Sequence, residues 1–156
     1  MVVLGCGSPQ DGNGNGSGGA GDTAPGTRED PIVVSTSCKD DLPKDAYQLT
    51  SAELEGELLA LTIGYAGGCG THRFHACWDG SFAESFPVQT WISFHHDDGG
   101  DTCEAFITKT LYVDVKPMLS AYQSSYGSSG PIVMHVRDTS ATVTYQPPDA
   151  PAAPPM

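Results

Sequence analysis

Apolar residues recurring at every second position constrain this chain more than any other feature. Leu59, Leu61, Ile63 and Tyr65 form one such run, His72, Phe74, Ala76 and Trp78 a second, and Val88, Thr90, Ile92 and Phe94 a third. Cys103, Ala105, Ile107, Leu111, Val113 and Val115 keep one parity over a longer stretch, and Ile132, Met134 and Val136 precede a last extended segment at 141–145. Residues i and i+2 share one face of a strand, so each run turns one face to a core and the other to water. Glycine and aspartate between the runs, as in 66–70 and 97–101, supply turns. Helical spacing is scarce. Thr50-x-x-Glu53 could cap a short helix, which Gly56 opposes, and 116–127 has Pro117 at a first helical position and Gly127 as a stop. These patterns predict an all-β chain: a single Ig-like β-sandwich of antiparallel strands with one short helix or helical turn.

The alternation stops at both flanks. Residues 7–30 are Gly, Ser, Asn and Asp with little to bury and read as a flexible linker, and 147–156 form a proline-rich tail expected to be disordered. The sandwich is assigned to 31–146, enough for one core. Net charge is −12, with 19 acidic against 7 basic residues and no basic cluster, so the chain lacks what phosphate neutralisation requires and nucleic acid is excluded as a partner.

Residues 1–6 address the compartment. Val3-Leu4-Gly5-Cys6 matches the lipobox in which a bacterial signal peptide ends and Cys6 receives lipid. Only five residues precede Cys6, fewer than a secretion signal occupies, so either the leader begins further upstream or the match is accidental. A polar tether after a lipidated cysteine would hold a domain clear of a membrane. The expected location is the bacterial cell envelope, periplasm or cell surface, with the membrane as partner through that anchor.

Cys38, Cys69, Cys77 and Cys103 remain, and in an oxidising compartment four cysteines suggest two disulfides. Cys38 and Cys77 make the natural pair fastening the polar N-terminal arm to the sheet. For the others two readings stay open. Parity turns His72 and His96 inward, each near a strand end with a cysteine close by in sequence: Cys69-x2-His72 and His96-x6-Cys103. If 97–100 closes a hairpin, His96 and Cys103 face the same side, and Cys69, His72, His96 and Cys103 form a Cys2His2 set suited to zinc or copper. The alternative is a Cys69–Cys103 disulfide with both histidines hydrogen-bonded beside it, and an oxidising compartment favours it. Asp97, Asp98 and Asp101 could hold calcium but suit a solvated turn better. No nucleophile elbow, P-loop, dinucleotide fingerprint or His-Glu-x-x-His is present, so no catalytic residue is assigned.

Gly67-Gly68-Cys69 with His72, the His96-x6-Cys103 segment, and Asp114-Val115-Lys116-Pro117 at the end of a strand resemble small bacterial lipoproteins of unassigned function. The resemblance spans about half the chain and implies a lipid anchor without implying an activity. The expected function is therefore a non-enzymatic, lipid-anchored extracytoplasmic binding or structural module, with zinc or copper on the Cys2His2 set as the sharper form. The alternatives are a disulfide-stapled surface interaction domain without metal, or an enzyme with an unrecognised site.

Overall fold

The structure, a computed structural model, describes residues 25–127 and 130–147. It is an all-β sandwich of two four-stranded sheets with one short helix. The first sheet contains β1 (Ile32–Val33), β2 (Gln48–Glu55), β3 (Leu58–Gly67) and β6 (Ala105–Asp114), ordered β1-β6-β3-β2. The second contains β4 (Arg73–Trp78), β5 (Val88–Asp97), β7 (Ile132–Val136) and β8 (Thr142–Tyr145), ordered β4-β5-β7-β8. The core lies between them. Leu59, Leu61, Ile63 and Tyr65 of β3 meet Phe74, Ala76, Ile92, Phe94, Met134 and Val136 of the facing sheet, all buried.

The possible helix at 50–61 is instead the β2–β3 hairpin, with Glu55 opposite Leu58 across Gly56 and Glu57. Gly56 takes φ +63°, the left-handed value that a two-residue hairpin turn needs, so the residue that weakens a helix completes a turn. Residues 116–127 do form a helix. The helix α1 (Lys116–Tyr126) has Pro117 in its first turn, and the Gly127 N–H donates to the Gln123 carbonyl at its end. Met118, Leu119 and Tyr122 are its buried residues.

Two expectations about pairing are corrected. The strands are not all antiparallel: β1 lies parallel to β6, and β5 lies parallel to β7. Nor do β5 and β6 form a hairpin. β5 pairs with β4 and β7, whereas β6 pairs with β1 and β3 in the other sheet. Residues 98–104 therefore cross from one sheet to the other, and α1 lies on the return path from β6 to β7. A parallel pair needs such a long connection.

The arm before β2 closes one side of the sandwich. β1 adds to the β6 edge, and two residues later Ser35 bridges Cys77 of β4, donating to the Ala76 carbonyl and accepting from Trp78 N–H. Part of the expected linker also packs on the body, since Tyr112 N–H donates to the Gly26 carbonyl at 2.9 Å and Arg28 pairs with Glu55 at 2.7 Å. Cys6 and most of the segment 7–30 lie outside the described residues, as does the tail beyond Pro147.

Candidate functional site: a buried histidine–aspartate clasp

Two buried histidines and an aspartate sit at one end of the sandwich, where two connections cross between sheets. Residues 68–72 leave β3 for β4, and 98–104 leave β5 for β6. The strands deliver the histidines. His96 is at the end of the inward face of β5, His72 immediately precedes β4, and the two are 1% and 2% exposed. His96 stands opposite Phe74 in the β4–β5 register and stacks on its ring at 4.7 Å. Tyr65, from the facing sheet, covers both, with ring centroids 4.6 Å from His72 and 5.0 Å from His96.

The polar atoms form one line. The Ala46 carbonyl lies 3.1 Å from His96 Nδ1, His96 Nε2 lies 2.7 Å from His72 Nδ1, and His72 Nε2 lies 2.9 Å from Asp101 Oδ2. The direction of donation follows from the ends. A carbonyl only accepts, so His96 Nδ1 carries hydrogen and donates to Ala46. Asp101 accepts as well: Oδ2 takes the N–H groups of Cys69 (3.0 Å) and Gly70 (2.9 Å), and Oδ1 takes that of Cys103 (2.9 Å). His72 Nε2 therefore donates to the Asp101 carboxylate, and the remaining bond of the line places one proton between His72 Nδ1 and His96 Nε2. His72 and Asp101 side chains are 2% and 0% exposed, although Asp101 lies at the outer end of the line, on a connecting loop.

The electrostatics agree with this assignment. The hydrogen bond from His72, followed by the N–H of Cys103 and of Cys69, holds the Asp101 carboxyl far below the usual carboxylate range. Burial pushes His96 below the ordinary histidine value, and the His72 charge adds to that effect.

Both cysteine pairs are disulfides. Cys69 and Cys103 are bridged with Cα atoms 5.8 Å apart, and Cys38 and Cys77 with Cα atoms 5.9 Å apart. The first bridge ties together the same two crossovers that Asp101 joins by hydrogen bonds, so covalent and polar links form one clasp. The second ties the N-terminal arm to β4. Of the Cys2His2 set, the structure brings Cys69, His72 and Cys103 around Asp101. His96 stands behind His72, its Nε2 directed at His72 Nδ1. With the bridge closed, neither sulfur is a thiolate and every ring nitrogen of the two histidines has a partner.

Asp101 is the residue that the sequence reading put elsewhere. In Asp97–Asp101 it reads as one of three turn carboxylates, and Asp97 and Asp98 do cap the N–H groups of Gly99 and Gly100. Asp101 instead points back into the clasp. A signal for it exists at Gly67, where a Cβ would lie 2.5 Å from His72 Nε2 and 3.0 Å from Asp101 Oδ2. The Gly-Gly-Cys segment is glycine there because the His72–Asp101 bond fills the space.

Outside the clasp, a cleft of about 380 Å³ opens between residues 44–47, β5 and the β7–β8 turn. Its lining mixes Lys44 and Arg137 with Asp45 and Asp138, so it has no single sign of charge. His95 faces it with Nδ1 buried and unpartnered among the described residues, and burial, then the Lys44 charge, lowers its pKa.

No protein-family model and no curated protein matches this chain. Among solved structures, the chain is similar to a NigD-like immunity protein from Bacteroides caccae, at 16% identity over 74% of this chain and 57% of that one, with a TM-score of 0.48. It is also similar to a candidate lipoprotein from Bacteroides fragilis, at 8% identity over 74% of this chain and 67% of that one, with a TM-score of 0.49.

Proposed function

We propose that this chain is a non-enzymatic module of the bacterial cell envelope, held to a membrane by lipid on Cys6 and set off from it by the segment 7–30. Its disulfide-stapled sandwich, residues 31–146, serves there as a binding or structural unit for an envelope partner. The observation that carries the reading is the cysteine chemistry. All four cysteines of the domain are paired, which suits an oxidising compartment and not a glutathione-buffered one. The clasp supports the non-enzymatic part. A general acid or nucleophile needs an approach for substrate, whereas His72 and His96 are buried and hydrogen-bonded on both nitrogens.

The test expresses the protein behind a bacterial lipoprotein leader with a metabolic fatty-acid label. Label in the membrane fraction, lost in Cys6→Ser, together with four cysteines that resist alkylation until reduced, is the expected result. Soluble, unlabelled protein with four alkylatable thiols would sink it.

A second reading has one observation in its favour: Cys69 Sγ, an Asp101 oxygen and Cys103 Sγ lie within 4.8 Å of one another. Reduction of this bridge would leave two thiolates beside Asp101 and His72, a donor set suited to zinc or copper with His96 as the group behind His72. Elemental analysis with thiol counting separates the two. One equivalent of metal with two protected thiols favours the metal form; four oxidised cysteines and no metal favour the stapled domain.

A further inference from the structure

Three of the chain's five histidines have hydrogen-bond partners: His72 and His96 in the clasp, and His135 with Gln89 at 2.8 Å. The other two, His75 and His95, have none among the described residues. They are neighbours. His75 stands directly opposite His95 in the β4–β5 register. Phe74, Ala76, Phe94 and His96 are buried on the inner face of the sheet, so His75 and His95 share the outer one. Side chains directly opposite across an antiparallel pair have Cβ atoms about 4.5–5.5 Å apart, so the two imidazoles can converge on one point.

That face is only partly open to water. The segment 38–45 is fixed to these strands at both ends, by the Cys38–Cys77 bridge and by the Asp45 N–H donating to the His96 carbonyl at 2.9 Å. Lys44 of this segment lines the same cleft as His95. His95 Nδ1 is buried there without a partner, a state that native structures ordinarily avoid. Burial, then the Lys44 charge, pushes the His95 pKa down, which favours the uncharged ring that a metal ion requires. Asp45 and Asp138 line the cleft as well, and the Asp138 charge acts on His95 in the opposite sense to Lys44. A cation beside His95 would gain from both carboxylates.

We propose that His75 and His95 bind a divalent late first-row metal ion, copper(II) most tightly, through one ring nitrogen each, with water completing the coordination and Asp138 supplying counter-charge. Imidazole suits copper, nickel and zinc, and copper leads the affinity order of these ions. The site is separate from the clasp. It lies on the opposite face of the sheet from His96 and uses no sulfur, so it exists in the fully oxidised domain. Lys44 is its antagonist, a positive charge already facing His95. The net charge of −12 favours the approach of any cation.

The test titrates copper(II) into the full-length oxidised chain carrying Cys6→Ser, so that no thiol is free, by calorimetry and by nitrogen-15 amide spectra. One equivalent should bind, with amide signals at 75 and 95 lost to the paramagnetic ion and those of Cys69 and Asp101 retained. Loss of a ligand costs at least what loss of a ligand's orienting partner costs, about 10–100-fold in affinity, so His75→Ala and His95→Ala should each weaken binding by that much or more. Lys44→Gln should tighten it, and His135→Ala, on the same face but partnered by Gln89, should leave it unchanged. Urea midpoints matching the parent chain would show that each variant is folded. Binding that survives both His75→Ala and His95→Ala would overturn the proposal, and so would the absence of binding at micromolar copper. Broadening centred on Cys69 and Asp101 would overturn it too, giving the ion to the clasp.

Discussion

Removal of the disulfides tests the envelope assignment by thermodynamics. The bridges span 39 and 34 residues. Loop closure at these lengths removes about 13 cal/mol/K from the unfolded chain in each case, or about 4 kcal/mol per bridge at room temperature. Domains of this size are stable by about 5–15 kcal/mol, so losing both bridges removes much of the total. The two loops overlap between Cys69 and Cys77, so the combined loss is less than the sum. With urea slopes of about 1–3 kcal/mol/M, the variant Cys38→Ala/Cys77→Ala should lower the midpoint by about 2 M. Fluorescence of the buried Trp78 reports the transition. Full reduction should leave a population of unfolded chain without denaturant, which confines the folded domain to an oxidising compartment. A reduced protein whose midpoint lies within about 0.5 M of the oxidised one would refute the argument.

The remaining predictions concern the clasp and the core. His96 and Asp101 both have lowered folded-state pKa values, so each contributes stability that is present above its unfolded value and lost on acidification. Urea midpoints should therefore fall below about pH 6.5 as His96 is forced to charge, and again below about pH 4 through Asp101; His96→Gln should remove the upper limb, and an unchanged profile in that variant would count against His96 as its source. Gly67→Ala places a methyl group on the His72–Asp101 bond and should cost about 1–3 kcal/mol in chemical denaturation, with a shift in the His72 ring nitrogen resonances that a purely remote strain would not produce. Thr90 is fully buried and takes the Trp78 Nε1 hydrogen bond at 2.8 Å while donating to the Ser81 carbonyl; Thr90→Val should cost about 1–2 kcal/mol, read from the same denaturation curves.

Strand parity identified inward and outward residues far better than it identified partners. His72 and His96 are buried beside Phe74 and Phe94, as their positions in the alternation require. Parity says only that a residue faces the core, and both sheets of a sandwich face the same core. The hairpin expected between β5 and β6 failed for that reason: their inward faces do meet the same interior, but from opposite sheets. β1 is two residues long and has no pattern to read. Asp101 was illegible because aspartate beside Gly99 and Gly100 is what a turn prefers, and the three N–H groups that draw it inward come from residues distant or adjacent alike. The helix α1 was legible from Pro117 and Gly127, residues that act within one turn of their own position.

The disulfide arrangement also determines how the domain would behave under tension. A load entering from the N-terminal side reaches Cys38 after the short β1 pairing and passes directly to Cys77. From there the shortest covalent route to Cys103 runs backward through eight residues to Cys69 and across the second bridge. The 65 residues from Cys38 to Cys103 could otherwise extend by about 220 Å; the bridged route allows only about 27 Å. An oxidised domain pulled through its tether would yield as a short, nearly inextensible link, with most of β2 to β5 relieved of the force.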